Sequence, residues 1–170
     1  MARTSPSNFI LLAGLVLLVG CATGSKIDRS TGAKTLFAQT VKQYHLPSAD
    51  AKGGERDKLL TSAAAGYTKL LRMYADQQYW CAQALRSLAN VRVEQGRLDD
   101  AVKMYRQVAE KYPDFDWEVL QAWKTAADLL WNAGRQADAK PFYQQIVTRF
   151  DKPDAPAVYK TIVRAAKARL

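Results

Sequence analysis

The sequence has 170 residues, of which 48% are hydrophobic and 24% charged, and its formal net charge is +9. These proportions are typical of a folded globular protein and exclude a collagen-like or low-complexity chain. The length favours one domain, and the single histidine, His45, excludes metal sites that need two histidines.

The first 20 residues have the features of an export signal. Arg3 precedes an uncharged apolar stretch at residues 9–19. A membrane-spanning helix needs about 20 apolar residues, whereas the core of a secretory leader needs only about 7–15. We therefore expect residues 1–20 to be a cleaved signal peptide, which leaves +8 on the remainder of the chain because Arg3 is the only charged residue in the leader.

The apolar stretch ends in Leu-Val-Gly-Cys at residues 18–21. This tetrapeptide resembles the lipobox of bacterial lipoproteins, in which a dedicated signal peptidase cleaves before a lipid-modified cysteine. The resemblance implies lipidation, with palmitate among the acyl chains, at Cys21, and two or three acyl chains anchor a protein permanently. Ala22 stands where Asp would retain such lipoproteins in the inner membrane, so the resemblance favours the outer membrane, facing the periplasm.

A short polar segment follows the cysteine. Residues 22–33 are rich in Gly, Ser and Thr. We expect residues 21–33 to form a lipidated tether with a reach of about 20 Å and residues 34–170 to form the folded domain.

A 38-residue repeat organises this domain. Residues 96–105 and 134–143 share five of ten positions without a gap, and Ala63 and Tyr67 lie one period upstream of the matching alanine and tyrosine. The apolar periodicity predicts two amphipathic helices in each copy. Gly96 lies between the two helices of its copy, where a helix C-terminus favours a residue with positive φ.

The repeat resembles the tetratricopeptide repeat, and the resemblance implies an all-α solenoid of about three helix-turn-helix units. The matching positions are Leu85 and Trp123 (large), Ala89 and Ala127 (small), Gly96 and Gly134 (turn), Ala101 and Ala139 (small), Tyr105 and Tyr143 (aromatic), and Pro113 (terminal proline).

Three segments depart from the repeat pattern. Lys34–His45 is predicted to supply the first helix of the first unit, joined to the second helix by a longer loop. Pro141 is expected to kink or shorten its helix. Ala155–Leu170 resembles the lone helix that caps the last apolar face of a solenoid.

The sequence contains no phosphate-binding loop, hydrolase nucleophile elbow, paired cysteines or metalloprotease motif. It therefore predicts no catalytic residue, no metal site and no cofactor, and the protein is expected not to be an enzyme. The lone His45 is interpreted as bonding free carbonyls at a helix end, and Cys81 as a small buried core residue.

Repeat geometry turns one side of each first helix inward. Among the residues on that side, Arg86, Asn90 and Lys124 resemble part of the carboxylate clamp by which some tetratricopeptide proteins hold an acidic peptide. Asp128 adds a negative charge to this side, and Trp131 adds an aromatic face. These five residues are the candidate partner-binding site, and a solvated polar face without a ligand remains the alternative. The full inward set is Gln83, Arg86, Asn90, Val93, Glu94, Gln121, Lys124, Asp128, Trp131 and Asn132.

Two functions remain open. The first is a membrane-anchored scaffold that binds an envelope protein or peptide segment for assembly, secretion, pilus or division machinery. The second is a basic envelope protein that binds anionic cell-wall polymer or lipid head groups through its positive charge. Nucleic acid is not an expected partner of an exported protein.

Overall fold

The computed structural model describes Met1 and residues 28–170. Residues 2–20 of the predicted signal peptide, Cys21 and most of the predicted tether lie outside the described residues. All regular elements in the described part are helical, which confirms the all-α prediction. They are α1 (Arg29–Thr40), a π-helical turn (Val41–His45), α2 (Leu46–Ser48), α3 (Gly53–Met73), α4 (Gln78–Glu94), α5 (Leu98–Lys111), α6 (Asp116–Asn132), α7 (Gln136–Phe150) and α8 (Ala157–Lys167).

The helices form three consecutive pairs and a final single helix. The first pair joins the continuous segment α1–α2 to α3, the second joins α4 to α5, and the third joins α6 to α7. Each of α3 to α7 packs on the next helix along the chain, and α8 covers α7. The predicted three units and capping helix are therefore confirmed.

Glycine permits the sharp turn between the paired helices. Gly96 has φ +74°, and the N–H groups of Gly96 and Arg97 donate to the carbonyl oxygens of Val93 and Arg92 at 2.8 Å. This arrangement satisfies carbonyls that the end of α4 would otherwise leave free. Gly134 has φ +77° at the equivalent turn.

The predicted core positions of the repeat are buried. Small residues such as Ala89 and Ala101 have no exposed surface, which allows α4 and α5 to approach closely, and Tyr105 and Trp123 fill the space between neighbouring helices. The capping helix contributes Ile162 to the same core.

Pro141 does not shorten its helix, so that part of the prediction was wrong, and the predicted kink stays a prediction. Helix α7 starts at Gln136 and continues through Pro141 to Phe150. A proline removes one backbone N–H and so frees the carbonyl of Ala137, four residues earlier. Both residues are exposed, so water can bond this carbonyl and the helix need not end there.

The first helix starts at Arg29, five residues before the predicted domain boundary. The Asp28 carboxylate accepts from the backbone N–H groups of Ser30 and Thr31 and so caps α1. The Arg29 guanidinium donates to both carboxylate oxygens of Asp76, at 2.5 and 2.9 Å, and fixes this end of α1 beside the end of α3. Residues 29–33 of the predicted tether are therefore part of the folded helix.

The connection between α2 and α3 spans residues 49–52, against residues 95–97 between α4 and α5. Pro47 lies in the last helical turn of the continuous segment α1–α2, and α3 already starts at Gly53. Gly66 lets α1 approach α3, since a Cβ atom there would lie 2.4 Å from the hydroxyl oxygen of the buried Thr40. The predicted helix Lys34–His45 is confirmed in this position.

Candidate partner-binding face

The first helices of the pairs lie closer together than the second helices. α1 contacts α4, and α4 contacts α6, whereas contacts among α3, α5 and α7 are sparse. This difference curves the row of helices, with α1, α4 and α6 on the inner side. We call the solvent-accessible side of these three helices the concave face.

The structure brings the predicted inward residues together on the concave face. All ten remain at least partly exposed, while most residues between them on α4 and α6 are buried. The five candidate residues therefore share one accessible surface. None of them is free of intramolecular contacts, however, and those contacts determine what the surface offers to a partner.

Three buried tyrosines with 38-residue spacing form the floor of this face. Each hydroxyl bonds a polar side chain of a first helix, and burial raises the tyrosine pKa, to about 12 for Tyr67. The hydroxyls therefore stay protonated and can donate. The pairs are Tyr67 with His45 Nδ1 at 2.8 Å, Tyr105 with Asn90 Oδ1 at 2.6 Å, and Tyr143 with Asp128 Oδ1 at 2.8 Å.

His45 joins the first unit to the second. Its Nε2 lies 2.9 Å from Glu94 Oε1 and its Nδ1 2.8 Å from the Tyr67 hydroxyl. A carboxylate only accepts hydrogen bonds, so Nε2 carries a proton, and in the neutral ring Nδ1 accepts from the tyrosine. The expectation that His45 bonds free carbonyls was wrong, because Glu94 comes from a helix 49 residues away in sequence.

Arg86 is held by the following repeat. Its Nε donates to Glu118 Oε2 at 2.5 Å, and the Glu118 side chain is only 4% exposed, against 25% for Arg86. Arg86 therefore neutralises a buried carboxylate of α6. An acidic peptide would have to compete with Glu118 for this guanidinium.

Asp128 is the centre of a cluster on α6. Burial opposes its ionisation, but hydrogen bonds from Lys124, at 2.8 Å, and from Tyr143 outweigh burial and lower the pKa of its carboxyl. Arg169, which follows α8, also donates to Asp128 and to the Tyr143 hydroxyl. The negative charge of Asp128 is therefore already compensated inside the chain.

Trp131 supplies the apolar side of this cluster. Its ring lies 6.0 Å from the Tyr143 ring in an edge-to-face arrangement, and the Arg169 guanidinium lies 5.5 Å from each ring centre. Such a position over an aromatic face is favourable for a cation. Sequence reasoning missed Arg169, since no repeat position corresponds to it.

Cys81 is a core residue, as predicted. Its side chain is fully buried, its Sγ lies 3.1 Å from the Tyr74 carbonyl oxygen, and burial raises the pKa of the thiol. It is therefore a poor nucleophile at neutral pH.

The described residues contain no group of three or more His, Cys, Asp or Glu side chains that is arranged to hold a metal ion. In the same part of the chain, no helix combines the length and the apolar character needed to cross a membrane. The carboxylates Asp99 and Asp116 instead pair with Arg135 and Arg149 of the third unit, each at 2.6 Å.

Family comparison agrees with this geometry. Residues 59–115 and, overlapping them, residues 86–156 match the tetratricopeptide repeat, and together they cover more than half of the chain. No curated protein matches the chain. The matched residues include α4 to α7 and most of α3, which are the helices that carry the repeat positions and build most of the concave face. The chain belongs to the tetratricopeptide repeat family.

Proposed function

We propose that this protein is a non-catalytic scaffold, anchored to a bacterial envelope membrane by lipid on Cys21, whose concave face binds a segment of an envelope protein. Tetratricopeptide repeats typically serve as protein-interaction scaffolds. The observation that carries the proposal is the accessible face formed by α4 and α6, on which ten side chains lie beside buried packing positions. The lipobox resemblance supports the anchor and a place on the outer membrane, facing the periplasm.

The internal pairing of the concave face favours a mixed-charge or polar segment over a purely acidic one. Arg86 and Lys124 each already bond a carboxylate of this chain, at 2.5 and 2.8 Å. The Asn90 amide nitrogen and the aromatic edge at Trp131 remain as groups that a peptide can contact. A partner in assembly, secretion, pilus or division machinery would bind here while the lipid keeps the complex at the membrane.

We expect that Cys21→Ser abolishes lipid labelling, because the thiol that receives the diacylglyceryl group is removed. The measurement is metabolic labelling with radioactive palmitate in a bacterial host, followed by fractionation of the envelope. Cys81→Ala is the matched control, since it removes a buried thiol that no modifying enzyme can reach. Normal labelling and processing of Cys21→Ser would show that the anchor is assigned to the wrong residue.

The concave face is tested by a double charge change on α6. Gln121→Glu with Lys124→Glu is expected to abolish crosslinking from a photoreactive residue at position 83 to the partner, since both sites are partly exposed on this face. Arg86→Glu is unsuitable for this purpose, because it would place a second carboxylate beside the buried Glu118. Asp128, the partner of Lys124, is by contrast partly exposed and keeps Tyr143 and Arg169 as donors.

The matched control is Lys140→Glu with Gln144→Glu, which makes the same change in charge at exposed positions of α7. This control is expected to retain crosslinking. If partner crosslinks persist in the α6 variant and disappear in the α7 control, the partner binds the second helices and not the concave face.

A further inference from the structure

A basic cavity lies between α3 and the C-terminal end of α4. Its volume is about 590 Å³, and none of the residues of the concave face lines it. The cavity is therefore separate from the concave face, and a ligand bound in the cavity would not occupy that face. The lining residues are Thr61, Ala64, Ala65, Thr68, Lys69, Arg72, Arg92, Gln95 and Arg97.

Positive charge in this cavity exceeds negative charge. Of its four cationic side chains, Arg97 pairs with Asp100 at 2.6 Å. Lys69, Arg72 and Arg92 form no ion pair with any carboxylate in residues 28–170. Elsewhere in the repeats, Arg86, Arg135 and Arg149 are each neutralised by a carboxylate. The four cations of the cavity thus face one carboxylate, Asp100.

Arg92 is the central donor of this cluster. One Nη donates to Gln95 Oε1 at 2.7 Å, while the buried Nε has no hydrogen-bond partner among the described residues. Burial, and then the charge of Arg97, lower the pKa of the guanidinium. A buried donor without an acceptor is costly, and the guanidinium that carries it belongs to a residue that lines the cavity.

The neutral groups of the cavity narrow the chemistry of the ligand. The Thr61 and Thr68 hydroxyls already donate to the carbonyls of Asp57 and Ala64, each at 2.8 Å. The donors that remain are therefore chiefly cationic nitrogens. A phosphate monoester offers three free oxygens and a charge of about −1.5 to −2, whereas a carboxylate or a phosphodiester offers two free oxygens and one charge.

We propose that the cavity between α3 and α4 binds a phosphate group, with Arg72 and Arg92 as guanidinium donors and Lys69 as a further cation. The cavity is larger than one phosphate group requires, so a diphosphate, a phosphorylated sugar or a lipid headgroup that ends in a phosphate monoester fits the same chemistry. The concave face stays accessible while the phosphate is bound.

The test uses the full chain in non-ionic detergent at low ionic strength, titrated with two probes. Inorganic pyrophosphate represents a free phosphate, and dihexanoyl-phosphatidic acid below its micelle concentration represents a lipid headgroup that ends in a phosphate monoester. The readout is the Nε–Hε resonance of Arg92 in nitrogen-detected NMR, with dissociation constants from calorimetry. A change in the chemical shift of this resonance on addition of pyrophosphate identifies the ligand as a soluble phosphate. A change on addition of the lipid identifies the ligand as a lipid headgroup.

Lys69→Gln with Arg72→Gln is expected to weaken probe binding at least about tenfold, the effect of losing one charge-assisted hydrogen bond. Both side chains are exposed, and an unchanged thermal melt checks that the variant folds. Lys111→Gln with Lys140→Gln removes the same charge at exposed positions on α5 and α7 and should bind as the original chain does.

An equal loss of affinity in the two double variants would overturn the proposal, because it would show a general effect of net charge. An Arg92 resonance that responds to neither probe would overturn it as well. Neither result bears on the concave face, whose crosslinking test is independent.

Discussion

Truncation of Tyr105 to Ala is expected to lower the free energy of unfolding by about 3–5 kcal/mol, the usual range for a buried aromatic. The ring has no exposed surface, and it packs between the two helices of the second repeat and the neighbouring α6. A domain has only about 5–15 kcal/mol of stability, so this change removes a large share of it. Urea denaturation followed by circular dichroism measures the loss.

Tyr105→Phe separates the ring from its hydroxyl. It keeps the packing and removes only the hydrogen bond to Asn90, so we expect a loss of about 1 kcal/mol. A Tyr105→Ala variant with an unchanged denaturation midpoint would mean that the repeat register places the wrong residue in the core.

Replacement of Arg86 by Met is expected to cost about 3 kcal/mol. Removing one partner of a buried ion pair leaves the other charge unpaired, which costs about 3–5 kcal/mol in fully buried pairs. We expect the lower end, since Arg86 is 25% exposed and Glu118 lies in the first turn of α6, where the helix dipole favours a negative charge.

A double-mutant cycle isolates this interaction. Arg86→Met combined with Glu118→Gln removes both charges and should recover most of the stability lost in Arg86→Met alone. Chemical denaturation of the four proteins gives the coupling energy. Strictly additive effects would show that the pair contributes nothing and that Arg86 is available to a partner.

The result matters for the proposed binding face. A strong coupling would confirm that Arg86 fixes α4 to α6 and does not act as a free clamp residue. Partner recognition would then rest on the groups that stay available, among them the Asn90 amide nitrogen and the Trp131 ring.

The fold was largely predictable because its determinants repeat along the sequence. A glycine with positive φ ends α4 and another ends α6, and alanines and tyrosines recur 38 residues apart at the helix contacts. Each of these signals depends on residue size or backbone conformation at one position, and a period in the sequence reveals such positions directly. The start of α1 lies outside the repeat period, and its signal is the local cap at Asp28, which a search for periodic positions does not detect.

The sequence by itself determined the helix pairs, their turns, the core positions and the residues that face inward. Only the tertiary structure decided how the charges on that face are used. Glu118 pairs with Arg86 across 32 residues and Arg169 reaches Asp128 across 41, while Lys69, Arg72 and Arg92 share a cavity without a carboxylate partner. The physical reason is that ion pairing depends on the distance between charged atoms at the ends of long side chains. That distance is set by how neighbouring repeats pack, and no local period encodes it.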